Sequence, residues 1–232
     1  MDFHSTPPST NILCHSFHIK HPATVIIAGP TQAGKTEFVI KFLKHINTLI
    51  RPKPDRILWA YGEKNAKQMD KIAQVAPNVE FCEGLPDLQN VSENDNNLLI
   101  LDDLMDEIGK QSSCANLFTK GSHHKNITVI AIIHNLFNNQ RYSRTISINT
   151  RYYVLFKSPR DNQQIQYFGR QIFPHNSKFL PDALSQATHK PFGYLIIDLH
   201  PQTPDHLRIN SGIFPDEIPL IYSPKHSVSF ER

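Results

Sequence analysis

Residues 24–38 read TVIIAGPTQAGKTEF. An apolar, β-branched run, Thr24 to Ala28, leads straight into Gly29, and the octapeptide from Gly29 to Thr36 satisfies G-x-x-x-x-G-K-[ST] in full. At average residue frequencies a chain of this length matches that pattern by chance with a probability of roughly 1%. The flanks sharpen the reading. A buried strand before the motif and an amphipathic helix after it, with Phe38, Val39, Phe42 and Leu43 on its apolar face, make the strand–loop–helix setting that a phosphate loop requires. Loop amides and the helix N-terminus then point at an anion, and the glycines let the backbone wrap closely. Gly29, Pro30, Thr31, Gln32, Ala33 and Gly34 form the cradle. Lys35 supplies a point charge for the β- and γ-phosphates, and the Thr36 hydroxyl supplies a ligand for Mg²⁺. The ligands expected are ATP and Mg²⁺. An ordinary glycine turn with an exposed lysine would leave the agreement of strand, motif and helix unexplained.

Working outward, apolar runs alternate with helical patterns. Strands are expected at ATVIIAG (23–29), RILWAY (56–61), VEFC (79–82), NLLILD (97–102), ITVIAII (127–133) and YYVLF (152–156). Helices are expected at 35–49, 65–76, 105–120 and 161–172. The alternation predicts an α/β P-loop NTPase domain with a mostly parallel central sheet and helices on both faces. Trp59 reads as core packing beside the phosphate-loop strand, with Tyr61 and Glu63 ending near the ligand side. From residue 174 the texture changes. Eight of the 17 prolines fall between Pro174 and Pro224, and YLIIDL (194–199) is the one further clear strand. The remainder reads as extended chain and turns wrapped on the domain. Residues 1–22, with prolines and four histidines (His4, His15, His18, His21), read as a loose arm. The division expected is an arm over 1–22, an ATPase domain over 23–215 and a tail over 216–232.

Composition bounds the function. Charged residues make up 19% of the 232, with a net charge of +3, which excludes an arginine-rich nucleic-acid tail and permits a local basic surface. No apolar run approaches the ~18 residues of a membrane span, and no basic segment followed by an apolar stretch marks a secretory signal. Cys14, Cys82 and Cys114 are far apart and odd in number, which fits a reducing compartment rather than a disulfide framework.

Two more stretches bear on the chemistry. NLLILDDLMDE (97–107) is an apolar strand ending in two acids. A carboxylate at the C-terminal end of such a strand sits where open α/β sheets bind ligands, and Asp102 is the expected Mg²⁺ contact, direct or through water. Asp103 is placed to orient and deprotonate a water, or else to cap the helix that follows; Asp106 and Glu107 are weaker candidates for the base. In ITVIAIIHN (127–135) a core strand finishes on His134 and Asn135. In one large class of P-loop ATPases this later strand is inserted between the phosphate-loop strand and the acidic strand, with its end beneath the γ-phosphate. A polar side chain there needs a partner such as phosphate or water. His134 is the expected γ-phosphate sensor; the alternative is a satisfied core or turn histidine.

Three blocks, FTKGSHHKNITVIAIIHNLF (118–137), TISINTRYYVLFKSPRDNQQI (145–165) and PFGYLIIDLHPQTPDHLRI (191–209), resemble the genome-packaging ATPases of Maverick/Polinton-type viruses and adintoviruses. These belong to the FtsK–HerA superfamily, and the resemblance runs from about residue 22 to 215. It implies a RecA-like ATPase that assembles as a homo-oligomeric ring and drives double-stranded DNA into a preformed capsid. It also implies viral capsid proteins as partners, no membrane, and a place in the host nucleus, at the virus assembly site or on the virion. The family usually has Gln where this chain has His134, and often Arg where this chain has Lys120 and Lys125. Lys cannot reproduce the planar bidentate contact of Arg. Arg141, Arg144 and Arg160 therefore stand beside Lys120 and Lys125 as candidates to reach a neighbouring subunit's ATP. SHHK (122–125) reads as packing, solvent-exposed chain or a basic loop on DNA phosphates rather than a metal site, because no acid or cysteine is spaced to complete one. Two other classes share the phosphate loop: a nucleoside or nucleotide kinase, with NQRYSRTISINTR (139–151) as its only candidate lid, and a non-hydrolysing nucleotide-binding module.

Overall fold

The computed structural model describes residues 9–12, 17–88, 91–110, 115–136 and 141–224. His4, His15, Cys14 and Cys114, and the tail from residue 225, lie outside them, as do the side chains of Asp106, Lys120 and His123. The chain opens with β1 (Ser9–Ile12), β2 (Ile19–Lys20), β3 (Thr24–Ala28), α1 (Lys35–Lys44), α2 (Ile46–Leu49), β4 (Ile50–Arg51) and β5 (Arg56–Tyr61). There follow α3 (Ala66–Val75), β6 (Val79–Glu83), β7 (Asn97–Asp102), α4 (Met105–Lys110), a π-helical turn (Leu117–Gly121) and β8 (Ile127–Ile133). The last third holds α5 (Ser143–Asn149), β9 (Tyr152–Phe156), α6 (Asn162–Ile172), α7 (Phe179–Ala187), β10 (Tyr194–Asp198), β11 (Ile209–Ser211) and β12 (Leu220–Ser223).

Ten strands form one sheet in the order β1-β12-β11-β10-β9-β3-β8-β7-β5-β6. From β9 to β6 every pairing is parallel; from β9 outward to β1 every pairing is antiparallel. The sheet is therefore mixed, where a mostly parallel one was expected. For β11 and β12 the reason lies in the connections. Only residues 199–208 join β10 to β11, and only 212–219 join β11 to β12. A parallel return needs a crossover of about a dozen residues or more, so these short links permit only antiparallel neighbours. β5 is separated from β3 by β8 and β7. Trp59 is buried as expected, but its strand pairs with β6 and β7 rather than with the phosphate-loop strand.

Both faces of the sheet are covered. Along β3, Val25 and Ile27 pack with Phe38, Val39, Phe42 and Leu43 of α1, while Ile26 and Ala28 pack on the other side with Ile146 of α5 and Phe168 of α6. All seven residues of β8 are buried and divide between the same two faces. This is the strand whose neighbours lie on every side, and it explains why its sequence shows a continuous apolar run instead of alternation. Among the described residues no helix is long and apolar enough to cross a membrane.

The arm and tail expected from composition are not separate from this sheet. β1 pairs with β12 from Ser9↔Ser223 to Ile12↔Leu220, while β2 pairs in parallel with β4 in a second, two-stranded sheet. His21 faces Thr128 Oγ1 at 2.7 Å through Nδ1 and Asn126 Oδ1 at 3.0 Å through Nε2, which ties the segment before β3 to the start of β8. Beyond residue 215, Lys41 of α1 is paired with Asp216 and Glu217, and Tyr194 donates to Glu217. Tyr222 is 2% exposed, and its hydroxyl lies 3.0 Å from Ser211 Oγ. Tyr222→Ala is expected to cost about 3 kcal/mol in a urea melt, as for other buried aromatic truncations. A change under about 0.5 kcal/mol, the level of an ordinary surface substitution, would mean that β12 is not part of the core.

Candidate functional site

The phosphate loop leaves β3 at Gly29 and enters α1 at Lys35. Both motif glycines are demanded by geometry. A Cβ on Gly29 would lie 2.7 Å from Phe156 Cβ, and Gly34, which caps α1, has φ of 100°, in the left-handed region. Lys35 is buried, and its ammonium donates to the carbonyls of Gly29 at 2.6 Å and Pro30 at 2.9 Å. Burial lowers its pKa, and the nearby charges of Asp102 and Asp103 oppose that shift. The loop thus holds a cation at its centre, ringed by acceptors of its own backbone.

Strand register brings the acids to it. Ala28 pairs with Ile133, and Asp102 pairs with Ile132, so β3, β8 and β7 end level with one another. Neighbouring strands lie about 4.8 Å apart, which sets the acidic strand only about 10 Å from the loop strand. Along a strand, successive side chains would point to opposite faces. Asp103 breaks the alternation: its φ is 58°, and both carboxylates line one cleft. Asp and Asn tolerate that conformation better than most residues. Asp102 Oδ2 accepts from Gln68 Nε2 at 2.7 Å. Burial raises the Asp102 pKa, with a contribution from Asp103, while the Gln68 bond and the Lys35 charge pull it down.

His134 joins the two groups. Its Nε2 lies 3.0 Å from Asp103 Oδ1, and its Nδ1 lies 3.5 Å from Lys35 Nζ, at the outer limit of a hydrogen bond. The tautomer with the proton on Nε2 satisfies both contacts, donating to Asp103 and accepting from Lys35. This is the contact the structure gives the Asp103 carboxylate.

The cleft has a volume of about 770 Å³, and its lining includes Thr31, Gln32, Gly34, Lys35, Thr36, Asp102, Asp103 and His134. Gly29 and Pro30 enter through their carbonyls on Lys35, and Ala33 packs against the core behind the loop. Glu107 stands exposed on α4, Asn135 is exposed beside His134, and Asp106 has a described backbone only. The basic candidates are placed differently. Lys125 precedes β8 at the opposite edge of the sheet, where it donates to the Leu88 carbonyl at 3.1 Å. Lys120 is in the π-helical turn. Arg141 lies over the ring of Tyr142, and Arg144 is exposed at the start of α5. Arg160 is exposed in the turn after β9, at the same edge as the phosphate loop.

No family model matches this chain, and no curated protein matches it. Its fold is similar to two solved viral structures. One is the genome packaging NTPase B204 from Sulfolobus turreted icosahedral virus 2 in complex with sulfate, with a TM-score of 0.52 at 12% identity over 87% of this chain and 96% of that one. The other is B204, the DNA-packaging ATPase from Sulfolobus turreted icosahedral virus, with a TM-score of 0.50 at 14% identity over 88% and 98%. At such identities the likeness shows a shared fold.

Several lining residues carried no motif. Gln68 sits one turn into α3, whose cap Asn65 accepts from the Gln68 amide at 3.2 Å; that cap aims the Gln68 side chain across at Asp102. Phe192, between α7 and β10, reaches the cleft from the far end of the sequence. Neither position stands in a local pattern. Because the raised Asp102 pKa means that its charged form is disfavoured in the fold, stability is lost as pH rises through that folded pKa. Asp102→Asn should therefore melt at a higher temperature than the parent at pH 7. The gain should fade as pH drops below the ordinary carboxylate range, where both states of the parent are protonated. A lower melting temperature at pH 7 would mean that the carboxylate is a net stabiliser.

Proposed function

We propose that this chain is an ATP-hydrolysing motor that moves double-stranded DNA into a viral capsid. The observation that carries the hydrolytic part is the contact of one side chain, His134, with both the phosphate-loop lysine and an acid beside it. The packaging part is supported by the resemblance to Maverick/Polinton-type and adintovirus packaging ATPases, and by the fold shared with a genome packaging NTPase. The cleft lining contains no arginine among the described residues, which speaks against a kinase whose lid would clamp phosphates with several.

The residues fit a magnesium nucleotide. The loop residues Thr31, Gln32, Gly34, Lys35 and Thr36 line the open cleft, and Asp102 is a half-buried carboxylate whose charged form is disfavoured by desolvation. Among the described residues no cluster of three His, Cys, Asp or Glu side chains forms an all-protein cage. Magnesium is usually held by one or two protein groups together with phosphate oxygens, and Thr36 and Asp102 would be those groups. The ion's chemistry would be neutralisation of charge on the β- and γ-oxygens. Lys35 adds a second cation at the same phosphates. Asp103 takes the proton from the attacking water. His134 orients Asp103 through Nε2 and, through Nδ1, feels whether Lys35 is engaged by its own loop or by phosphate. A ring of subunits would place a basic group of one chain at the ATP of the next, and Arg160, at the cleft edge of the sheet, is the candidate best placed for that. Capsid proteins complete the proposed machine, at the site where virions assemble.

ATP turnover measured with and without duplex DNA, over a range of protein concentrations, tests this reading. Hydrolysis that rises with DNA and with concentration is expected. Absence of hydrolysis, or indifference to DNA, removes the motor, and transfer of phosphate to a nucleoside would favour the kinase. Asp103→Asn should still bind ATP but turn it over ~10²-fold more slowly, the usual loss for a general base; a normal rate would leave Asp103 without that role. His134→Gln, which keeps a donor and an acceptor, should retain activity, and its loss would make the imidazole itself essential.

A further inference from the structure

We infer that Phe192 is the platform on which the base of the bound nucleotide stacks. The inference rests on the reading of the cleft as a nucleotide site and adds to it a residue for the part of the ligand beyond the phosphates. It begins with an oddity of the turn Lys190–Gly193. The Gly193 amide donates to the Lys190 carbonyl at 3.1 Å, Pro191 occupies the first central position, and Phe192, at the second, has φ of 61°. A turn of this kind asks for Gly or Asn there, because a side chain crowds its own carbonyl at positive φ. Phenylalanine is a costly choice. It would be repaid if the ring were buried, but Phe192 is 70% exposed. The fold gains little from this aromatic at this backbone angle, and residues held in such a state cluster at ligand sites.

Its place in the cleft says which ligand. The ring stands at the entrance to α1, where a Cβ built on Gly34 would come within 3.0 Å of Phe192 Cδ1. In the sheet order β10-β9-β3-β8-β7, the turn before β10 lies on one side of the phosphate loop and the acids at the end of β7 lie on the other. A nucleotide whose terminal phosphates face Asp102 and Asp103 therefore extends its opposite end away from them, toward β10. That end is the base, a flat aromatic surface. The exposed face of Phe192 offers it the stacking contact that every base accepts, with little discrimination between bases. Phe192 reaches this position only because β10 runs antiparallel to β9, which brings the start of β10, rather than its end, to the edge of the phosphate loop.

The experiment compares binding of ADP and of pyrophosphate, which lacks the base, to the full chain in magnesium buffer. Phe192→Ala is expected to weaken ADP roughly 10-fold or more while leaving pyrophosphate unchanged. Phe192→Tyr should restore ADP binding, and GDP should follow ADP. Phe192→Gly removes the crowding at positive φ, so it should melt no lower than the parent and lose ADP affinity as the alanine variant does. Equal losses for ADP and pyrophosphate would overturn the inference, because the ring would then only be supporting the phosphate loop. No loss for either would also overturn it and assign the ring to another surface, such as DNA or a neighbouring subunit. A parent protein that binds neither ligand would bring down the nucleotide reading of the cleft itself, and this inference with it.

Discussion

The site depends on three parallel strands stopping at the same level. β3, β8 and β7 are locked in register by their hydrogen-bond ladders, and each ends in a residue whose successor is polar or glycine: Gly29, His134 and Asp102–Asp103. A slip of one residue in any ladder would reverse the faces of that strand and bury its functional end. The apolar groups on both faces of β8 prevent the slip, because every one of its residues has a core position to lose. The precision of the cleft is thus borrowed from the packing beneath it.

Within that frame the charges are balanced rather than neutralised. Lys35 is buried among carbonyls, Asp102 is largely withdrawn from water, and each is shifted by that burial toward its uncharged form. The two lie close enough to moderate one another, with His134 bridging from the lysine to the second acid. Such an arrangement holds electrostatic capacity in reserve. A multiply charged anion with its cation would meet groups already positioned and already partly desolvated, which is the physical basis of preorganised stabilisation.

The antiparallel half of the sheet has a different role. It closes the edge next to β9, carries the 213–217 turn onto α1 through Lys41, and delivers Phe192 to the mouth of the cleft. The chain from both ends, β1 and β12, pairs at its outer border. Proline-rich composition suggested wrapping chain here. Short links between brief apolar segments produce strands all the same, because their backbone groups find partners on an edge that β10 leaves open.

The glycine–lysine loop motif, the acidic strand end and the polar tip at His134 were legible as patterns in the chain, along with most of the parallel strands. Each of these is a local pattern: a spacing of glycines and lysine, or an apolar run ended by charge. The single helix expected over 35–49 breaks at His45, an outcome of packing that periodicity does not report, and of the helix expected over 105–120 the described residues show α4 and, from Leu117, a π-helical turn. No local pattern reveals that Asp103 turns into the left-handed region to share a cleft with Asp102, that Gln68 reaches Asp102 from α3, or that Phe192 arrives from some 160 residues beyond Gly34; the fold sets all three. The reason is one of range. Backbone conformation at a strand end, and contacts between distant segments, depend on which surfaces the sheet brings together, whereas a motif records only what neighbours in the chain must do.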